Sequence, residues 1–443
     1  MDRRHFLMGA AAAPATVRPG AAAGANDRIR VACVGFHSQG EVHIKAYLKI
    51  PNVEIAAMCD VDDAVLEKGC KMVEAAGKKR PATFSDFRKL LEDKSIDAVS
   101  IATPNFHHTL QAIWACQAGK DVYVEKPCSY NMFEARQIVA AARKYNRVVQ
   151  HGSNGGSRSI EEAVDKIREG LIGDVYMARG LCFNGRDTIG RAPQEPIPAG
   201  VHYDLWTGPA PAKPFTRNRF HYNWHWQWDY GNGDIGNQGI HQMHAARRGL
   251  GVKYPVKISA TGGHFMFDDD QETPNVLAAN FEFDEGGRKK ILVFEVRHWI
   301  SNHEAGIGGQ AVMPPGKANS PTDRNTVGDI FYGSKGYLAI GRGGFRTFLG
   351  KEQSPGPTET RPAPDLFANF LDVMRTRKRS DLIAEIEEGA ISTTLVHLAN
   401  ISYRLGRSLQ FDAGTYTCKG DAQANAMFTR PDYRAPFVVP KVV

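Results

Sequence analysis

The sequence lacks several features that would assign it at once to a structural class. Its seven cysteines are an odd number and none forms a C-x-x-C pair, which argues against a disulfide framework. It contains no internal repeat, no low-complexity tract and no apolar run long enough to span a bilayer. The net charge of +7 is small, and the dense basic run at 375–379 lacks accompanying aromatic residues. We therefore expect no nucleic-acid partner and no membrane anchor in the mature chain.

The first 25 residues resemble a twin-arginine export leader. Arg3 and Arg4 precede Phe6 and Leu7, a small-residue apolar stretch covers 8–17, and alanines at 21–25 supply an A-x-A cleavage site. This route exports folded proteins, so we expect residues 1–25 to be removed and the mature chain to be periplasmic or secreted. The alternative is a frayed N-terminus on a cytosolic protein.

Residues 28–150 alternate between short apolar runs and segments of helical spacing. This alternation predicts an α/β fold in which an N-terminal doubly wound parallel sheet has helices on both faces, as in a Rossmann domain. Such sheets bind ligands at the carboxyl ends of their strands. The apolar runs are 28–35, 53–59, 98–102, 122–124 and 148–150, and helices are predicted near 40–48, 62–76, 106 and 131.

Residues 151–412 show longer alternating strands and predict a C-terminal α+β domain. Its large sheet should be mostly antiparallel, with one face closing the site and the other free for contact in a homo-oligomer. Helices at about 365–405 should pack back on the first domain, and residues 413–443 look like an irregular tail. The stretch from Gly306 to Pro321 predicts a loop over the site.

A glycine-containing loop follows the first predicted strand. Gly35 and Gly40 match the outer glycines of G-x-G-x-x-G, whereas His37, beside Ser38, replaces the middle glycine that lets the backbone approach a pyrophosphate. Asp60 follows twenty residues after Gly40, where a carboxylate binds the adenosine ribose and repels a 2′-phosphate. The loop therefore predicts NAD, in preference to NADP, as the cofactor. An ordinary strand-turn-helix with a surface aspartate is the alternative.

Two later strand ends carry more specific motifs. Thr103-Pro104-Asn105 with His108 follows one strand, and Glu125-Lys126-Pro127 follows the next. Together with the glycine loop these motifs resemble the Gfo/Idh/MocA oxidoreductase family, and the similarity extends over most of 28–412. It includes GNGDIGNQGIH at 231–241, FYGSKG at 331–336 and HLANISYRLGR at 397–407.

The resemblance implies the composition of the site. Thr103, Pro104, Asn105 and His108 would surround the cofactor, and Glu125 and Lys126 would lie near the nicotinamide, with Pro127 in the cis form. A buried lysine beside a cationic ring has a lowered pKa, which suits proton exchange with an alcohol. Lys126 is therefore a predicted catalytic, cofactor-binding and substrate-binding residue. A structural salt bridge is the alternative role for a lone lysine.

The family's second motif is altered in this chain. The usual D-x-G-x-H-x-x-D reads here as NQGIHQMH, so that Asn237 and His244 replace carboxylates while His241 is retained. Because an amide cannot accept a proton, acid-base work falls to His241 with Lys126. Asn237 is counted with Lys126 and His241 as a predicted catalytic residue, and Asn237, His241 and Asp234 are predicted to contact substrate. A helix-capping role for His241 is the alternative, and the pairs His241/His244 and His221/His225 have metal-ligand spacing, although no third ligand is assignable.

An aromatic stretch precedes this motif. Trp224, Trp226 and Trp228 alternate with polar residues, which predicts an extended segment carrying the three indoles on one side. Such rings suit stacking on a sugar, so all three are predicted substrate-binding residues. A packed core strand is the alternative.

These features predict an NAD-dependent oxidoreductase that transfers hydride at a sugar carbinol. Since the periplasm holds no pool of nicotinamide coenzyme, an exported enzyme should retain its NAD between turnovers. A redox-neutral glycoside hydrolase, which oxidises, eliminates and re-reduces, is the alternative from another reaction class. A non-catalytic sugar-binding protein is the third. No metal is expected, and the remaining partners are a small carbohydrate and further copies of the chain.

Overall fold

The computed structural model describes residues 28–152, 160–307, 325–341, 344–361 and 364–443. The predicted export leader and all but the first two residues of the predicted loop at 306–321 lie outside the described residues. In the described part of the chain the principal strands form two sheets, and each belongs to one half of the molecule. No helix there is long and apolar enough to cross a membrane.

The first half alternates strand and helix because short buried strands are each followed by a helix that covers the sheet. Its elements are β1 (Ile29–Val34), α1 (Gln39–Tyr47), β2 (Val53–Cys59), α2 (Asp63–Ala75), β3 (Ala82–Phe84), α3 (Phe87–Leu90), β4 (Ala98–Ile101), α4 (Asn105–Gln117), β5 (Asp121–Val124), α5 (Met132–Lys144) and β6 (Val149–His151). The strand order is β3-β2-β1-β4-β5-β6, and every pairing is parallel. All residues of β4, β5 and β6 are buried, as expected for strands covered on both faces.

The second half begins after β6. Its elements are α6 (Ile160–Arg168), β7 (Val175–Phe183), α7 (Tyr203–Thr207), α8 (Gly233–Asn237), α9 (Gly239–Leu250), β8 (Lys257–Gly263), β9 (Val276–Glu285), β10 (Arg288–Arg297), β11 (Thr326–Gly333), β12 (Gly336–Gly341), β13 (Gly344–Leu349), β14 (Ser354–Pro355), α10 (Leu366–Thr376), α11 (Ile386–Leu405), β15 (Leu409–Asp412), β16 (Thr417–Cys418) and α12 (Ala422–Ala426). Short 3-10 helices lie at Asn223–Trp226 and Arg379–Asp381.

The second sheet has ten strands among the described residues, in the order β14-β13-β12-β11-β7-β10-β9-β8-β15-β16. Its pairings are antiparallel except that β7 and β10 run parallel. Burial alternates along β9 and β10 because one face packs on helices while the other is more open. The prediction of a doubly wound parallel sheet joined to an α+β domain with a mostly antiparallel sheet is confirmed.

The helices near the C-terminus connect the two halves. Phe370 and Leu371 of α10 are buried in the core of the first domain, and Gln150 of β6 donates to the carbonyl oxygen of Leu366 at 2.6 Å. Helix α11 contacts α5 and β6 on one side and α9 and β8 on the other. Helix α11 therefore packs against both halves of the molecule. The candidate site lies between these two halves.

The segment 413–443 differs from the irregular tail expected from the sequence. It contains β16 and α12, and Phe437 and Val439 are buried in the core of the first domain. Because its turns and scattered apolar residues show no periodicity, the packing of this segment on a distant element could not be predicted from the sequence. All seven cysteines are buried and free of disulfides.

Candidate active site

A cavity of about 510 Å³ lies at the carboxyl ends of β1, β2, β4 and β5, where the first domain meets the second. Because the strands are parallel, their carboxyl ends and the polar residues that follow them lie together at one edge of the sheet. The first domain contributes the glycine loop, Asp60, Thr103, Pro104, His108, Glu125 and Lys126, and the second contributes His221, Tyr222, Trp224, His225 and Asn237.

Neither of the two outer glycines of the glycine loop has room for a side chain. Gly35 has φ +73°, and a Cβ there would lie 2.8 Å from the backbone nitrogen of Thr103. A Cβ at Gly40 would lie 2.1 Å from the carbonyl oxygen of Gly35. His37 and Ser38 are exposed on the cavity wall, so the loop forms a tight turn whose outer side meets a ligand. These features fit the turn that holds a dinucleotide.

Asp60 lies at the end of β2 and faces the same cavity. Its carboxylate accepts hydrogen bonds from the backbone nitrogens of Phe36 at 2.9 Å and Asp62 at 3.1 Å. Burial raises the pKa of this carboxyl to about 6, although both backbone hydrogen bonds lower it. The hydrogen bond to Phe36 ties the glycine loop to β2, so the residues present fit an NAD adenosine site.

The Thr103–His108 segment is divided by the start of α4. Thr103 and Pro104 line the cavity, and the ring nitrogens of His108 lie 2.7 Å from the carbonyl oxygen of Thr103 and 2.8 Å from that of Pro127. His108 thus joins the two strand-end loops. Asn105 was expected beside the nicotinamide, but its side chain is buried outside the cavity lining. It donates to the side-chain oxygen of Asn232 at 2.6 Å, because α4 begins at this residue and turns it toward the second domain.

Glu125 and Lys126 occupy the end of β5 with opposite charges. Burial raises the pKa of Glu125, but hydrogen bonding to His43 at 3.2 Å and the charge of Lys126 outweigh it and bring the pKa to about 2. Gln39 donates to the same carboxylate at 3.1 Å. Burial lowers the pKa of Lys126, opposed by the charge of Glu125. The Lys126–Pro127 peptide is cis.

The ammonium group of Lys126 reaches across to the second domain. It donates to the backbone carbonyl oxygen of Asn237 at 2.7 Å and lies 3.4 Å from the side-chain oxygen of that residue. Asn237 ends α8 and lines the cavity. His241 lies half-buried in the first turn of α9 and is not among the residues that line the cavity.

Asp234 was expected to contact substrate, but the structure gives it another role. Its side chain is fully buried and accepts hydrogen bonds from His298 at 2.8 Å, Arg186 at 3.0 Å, Asn184 at 3.0 Å and Asn237 at 3.2 Å. Burial raises its pKa, yet Arg186 and His298 hold the pKa well below its usual range. Asp234 is therefore a buried anion that orients Asn237, enclosed because α8 turns it toward β7.

The aromatic stretch is not the extended segment that the sequence pattern predicts. Residues Asn223–Trp226 form a 3-10 helix, in which residues two apart point to different sides. Trp224 lines the cavity, whereas Trp226 is buried with Arg186 over its ring at 5.0 Å. Trp228 packs against Tyr403, with ring centroids 6.3 Å apart, and does not line the cavity. Trp224 is thus the member of the predicted trio that can contact a ligand there.

His225 is a cavity residue that the sequence pattern did not identify. Its Nδ1 lies 2.5 Å from the carbonyl oxygen of Tyr222, an acceptor, so Nδ1 carries the hydrogen and Nε2 holds the lone pair. The ring stacks on Trp224 with centroids 3.6 Å apart. Burial lowers the pKa of His225 to about 3, so the imidazole is uncharged near neutral pH. The spacing from His221 was the available signal, and it suggested a metal instead.

The histidine pairs do not converge on one point. His221 bonds to Asp62 at 2.9 Å, His225 stacks on Trp224, and Nδ1 of His244 lies 3.0 Å from the Ser392 hydroxyl. Within the described ranges no group of three or more His, Cys, Asp and Glu side chains is placed to hold a metal ion.

A second unanticipated histidine lies behind the site. His151 ends β6 and is fully buried, and neither ring nitrogen has a hydrogen-bond partner among the described residues. Burial lowers its pKa to about 3, and the charges of Glu125, His241 and Lys126 all act on it. It therefore lies close to the proposed acid-base groups without reaching the cavity surface.

Comparison with known proteins supports the same assignment. Residues 29–153 match the Gfo/Idh/MocA oxidoreductase family's NAD-binding Rossmann fold, and residues 180–269 and 355–439 match its C-terminal alpha/beta domain. The fold is similar to aldose-aldose oxidoreductase from Caulobacter crescentus, with a TM-score of 0.63 and 17% identity over 87% of this chain and 100% of that one. It is also similar to the WlbA dehydrogenase from Bordetella pertussis, solved with NADH and UDP-GlcNAcA, with a TM-score of 0.60 and 19% identity over 87% and 98% of the two chains.

Curated relatives match mainly through part of the chain. A glycosyl hydrolase family 109 protein from Stenotrophomonas maltophilia is 30% identical over 220 residues, which are 46% of this chain and 47% of that protein. An alpha-N-acetylgalactosaminidase from Shewanella oneidensis is 28% identical over 153 residues, 33% of each. The matched region spans less than half the length of these relatives. With both domain models matched over most of its described length, the chain belongs to the Gfo/Idh/MocA oxidoreductase family and carries that family's NAD-binding domain.

Proposed function

We propose that this chain is an NAD-dependent glycosidase, which cleaves a glycoside by oxidation, elimination and re-reduction without net redox change. The observation that carries the proposal is the presence of two separate proton-transfer groups, Lys126 and His225, in one cavity. Dehydrogenation of a carbinol needs one base, whereas elimination needs a second group to remove the proton next to the new carbonyl. The glycosyl hydrolase names of the curated relatives support the same reaction class.

Each residue has a defined task in this cycle. The glycine loop and Asp60 would hold NAD, which when bound would supply the acceptor, and later the donor, of a hydride at the sugar C3 carbon. Lys126, with its lowered pKa, takes the C3 hydroxyl proton, and the carbonyl oxygen of Asn237 holds its ammonium group in place. His225, uncharged and with its lone pair on Nε2, removes the acidified C2 proton, after which the C1–O bond to the aglycone breaks. Water supplies a proton to the aglycone oxygen and its hydroxyl to C1, and His225, after exchange with solvent, delivers a proton to C2. The C3 carbonyl would then regain a hydride from the cofactor and the proton held by Lys126.

The cavity walls suit a carbohydrate. Trp224 and Tyr222 present aromatic surface beside the polar groups of Lys126, His225 and Asn237. Flat rings stack on the apolar face of a sugar, while the polar groups meet its hydroxyls. We further propose that the enzyme works after twin-arginine export with NAD retained, since a cycle that returns its hydride needs no external coenzyme.

A deuterium experiment tests the reaction. A glycoside labelled with deuterium at C2, cleaved in unlabelled water, should release sugar carrying protium at C2, with no accumulation of free NADH. Retained deuterium together with stoichiometric NADH release would identify simple dehydrogenation, and binding without turnover would identify a sugar-binding protein.

Three variants assign the proton transfers. Lys126→Met should lower turnover roughly 100-fold or more, the scale of general acid-base catalysis, and Lys89→Met on the exposed face of α3 is its control. His225→Asn should block exchange at C2 while hydride transfer to bound NAD persists. If His241→Asn blocks exchange and His225→Asn does not, the C2 base is His241. Self-association stays a prediction, which sedimentation velocity would test.

A further inference from the structure

Two histidines from different domains stack at the wall of the NAD cavity. The ring centroids of His37, in the glycine loop, and His221, in the second domain, are 4.0 Å apart with an angle of 8° between the planes. Both rings line the cavity. His37 occupies the position at which the dinucleotide motif normally has its middle glycine, so the departure from the motif supplies one half of the stack.

His221 is also held at the edge of its ring. Its Nε2 lies 2.9 Å from the carboxylate of Asp62, which also caps α2 by accepting from the backbone nitrogens of Ala64 and Val65. Its backbone has φ +66°, a left-handed conformation that is uncommon for a residue with a side chain. The imidazole is therefore held at the loop between β2 and α2, directly after Asp60.

A second set of contacts attaches the same part of the second domain to that loop. The backbone nitrogen of Asp63 donates to Gly200 at 3.0 Å, and the backbone nitrogen of His202 donates to Val61 at 2.8 Å. Gly200 and His202 of the second domain are thus hydrogen-bonded to the β2–α2 loop. The His37–His221 stack adds a contact between the second domain and the glycine loop. In this fold those two loops are the ones that flank the adenosine and pyrophosphate of a bound dinucleotide.

We propose that the His37–His221 pair closes the second domain over bound NAD and slows release of the nucleotide. The rings must unstack and the His221–Asp62 contact must break before the second domain can move away from the glycine loop and the β2–α2 loop. The inference deepens the proposed function, because it rests on NAD being kept between turnovers. It also explains why the glycine loop carries an imidazole where a smaller residue would allow easier access.

The test is the rate at which NAD leaves the purified full-length chain, followed by exchange with excess fluorescent etheno-NAD. His37→Gly and His221→Asn should each accelerate release about tenfold, equivalent to about 1.4 kcal/mol. The double variant should release no faster than His221→Asn alone, because His37 has no stacking partner once the His221 ring is gone. His37→Phe should restore slow release through its ring, and the exposed His303→Ala should match the wild type.

Several outcomes would overturn the proposal. These are unchanged release from both single variants, fully additive effects in the double variant, or wild-type release as fast as that of His37→Gly. If glycine destabilises the loop, His37→Ala repeats the measurement with a less flexible backbone. A wild-type chain that keeps NAD but cleaves no glycoside would refute the proposed function, while the release rates would still decide the role of the histidine pair.

Discussion

The ammonium nitrogen of Lys126 lies closer to the backbone carbonyl oxygen of Asn237, at 2.7 Å, than to the side-chain oxygen of that residue, at 3.4 Å. The carbonyl is present whatever the side chain at 237, so it fixes the position of the lysine. The side chain at 237 instead sets the charge near the lysine. An amide leaves Lys126 without a carboxylate partner at that point, whereas the related motif supplies one.

Asn237→Asp should therefore change the acidity of Lys126 more than its position. A carboxylate at about the same distance stabilises the ammonium form and raises the lysine pKa. The acidic limb of the pH–rate profile, along which the rate rises as the base Lys126 loses its proton, should move to higher pH, and turnover near neutral pH should fall. Gln238→Glu adds the same charge one residue further along as a control. An unchanged profile in Asn237→Asp would show that Lys126 is not the titrating group.

Asp60→Ala should weaken binding of NAD by about 1.5 to 3 kcal/mol, the value of a hydrogen bond to a charged group. Binding of NADP should weaken less or improve, because the variant no longer repels a 2′-phosphate. Calorimetric titration with both nucleotides measures the difference. Equal losses for NAD and NADP would show that Asp60 does not face the ribose and acts only by holding the backbone of Phe36.

Acid should destabilise the folded chain through its buried histidines. Burial lowers the pKa of His107 to about 4 and the pKa values of His151, His225 and His397 to about 3. Below pH 6.5 the unfolded chain takes up protons that the folded chain refuses, so stability present above pH 6.5 is lost as the pH falls toward these values.

His397→Asn isolates one of these contributions. The unfolding free energy of the wild type should fall more steeply between pH 6.5 and 4 than that of the variant, by about 1.4 kcal/mol per pH unit. Urea unfolding at several pH values gives both slopes. Parallel slopes would mean that His397 is protonated in the folded chain or is already shielded in the unfolded one.

Replacing Arg3 and Arg4 with lysines should trap the chain in the cytosol. The twin-arginine pair is the recognised feature of the leader, and lysine preserves the charge without it. Fractionation of expressing cells followed by immunodetection measures the distribution, and Arg18→Lys is the matched control. Unchanged recovery outside the cytosol would remove the argument that links NAD retention to export.

The strand ends of the first domain were predictable because their chemistry is local in sequence. Thr103, Glu125 and Lys126 each follow a short apolar run, and parallel order brings such ends to one edge. Asp234 and His225 were not assignable in this way. Whether a side chain there faces the cavity depends on short helical turns, which the alternation of aromatic residues obscured.

Burial of the tail was equally unpredictable. Phe437 begins a three-residue apolar run between two prolines, too short to show a period, and its contact with Trp114 depends on where the chain passes. Sequence periodicity reports which face of an element is apolar, but an irregular segment has no repeating face to report.

The C-terminal tail, which is synthesised last, forms part of the wall of the NAD cavity. Phe437 lines the cavity, and Gln137 donates to the carbonyl oxygen of Lys441, 304 residues later in the chain. A nascent first domain therefore lacks part of its own core and cavity wall until translation has passed both domains. Contacts of such long range close slowly and late. We therefore expect NAD to bind at the end of folding, so that a chain holding its nucleotide is one in which both domains are complete.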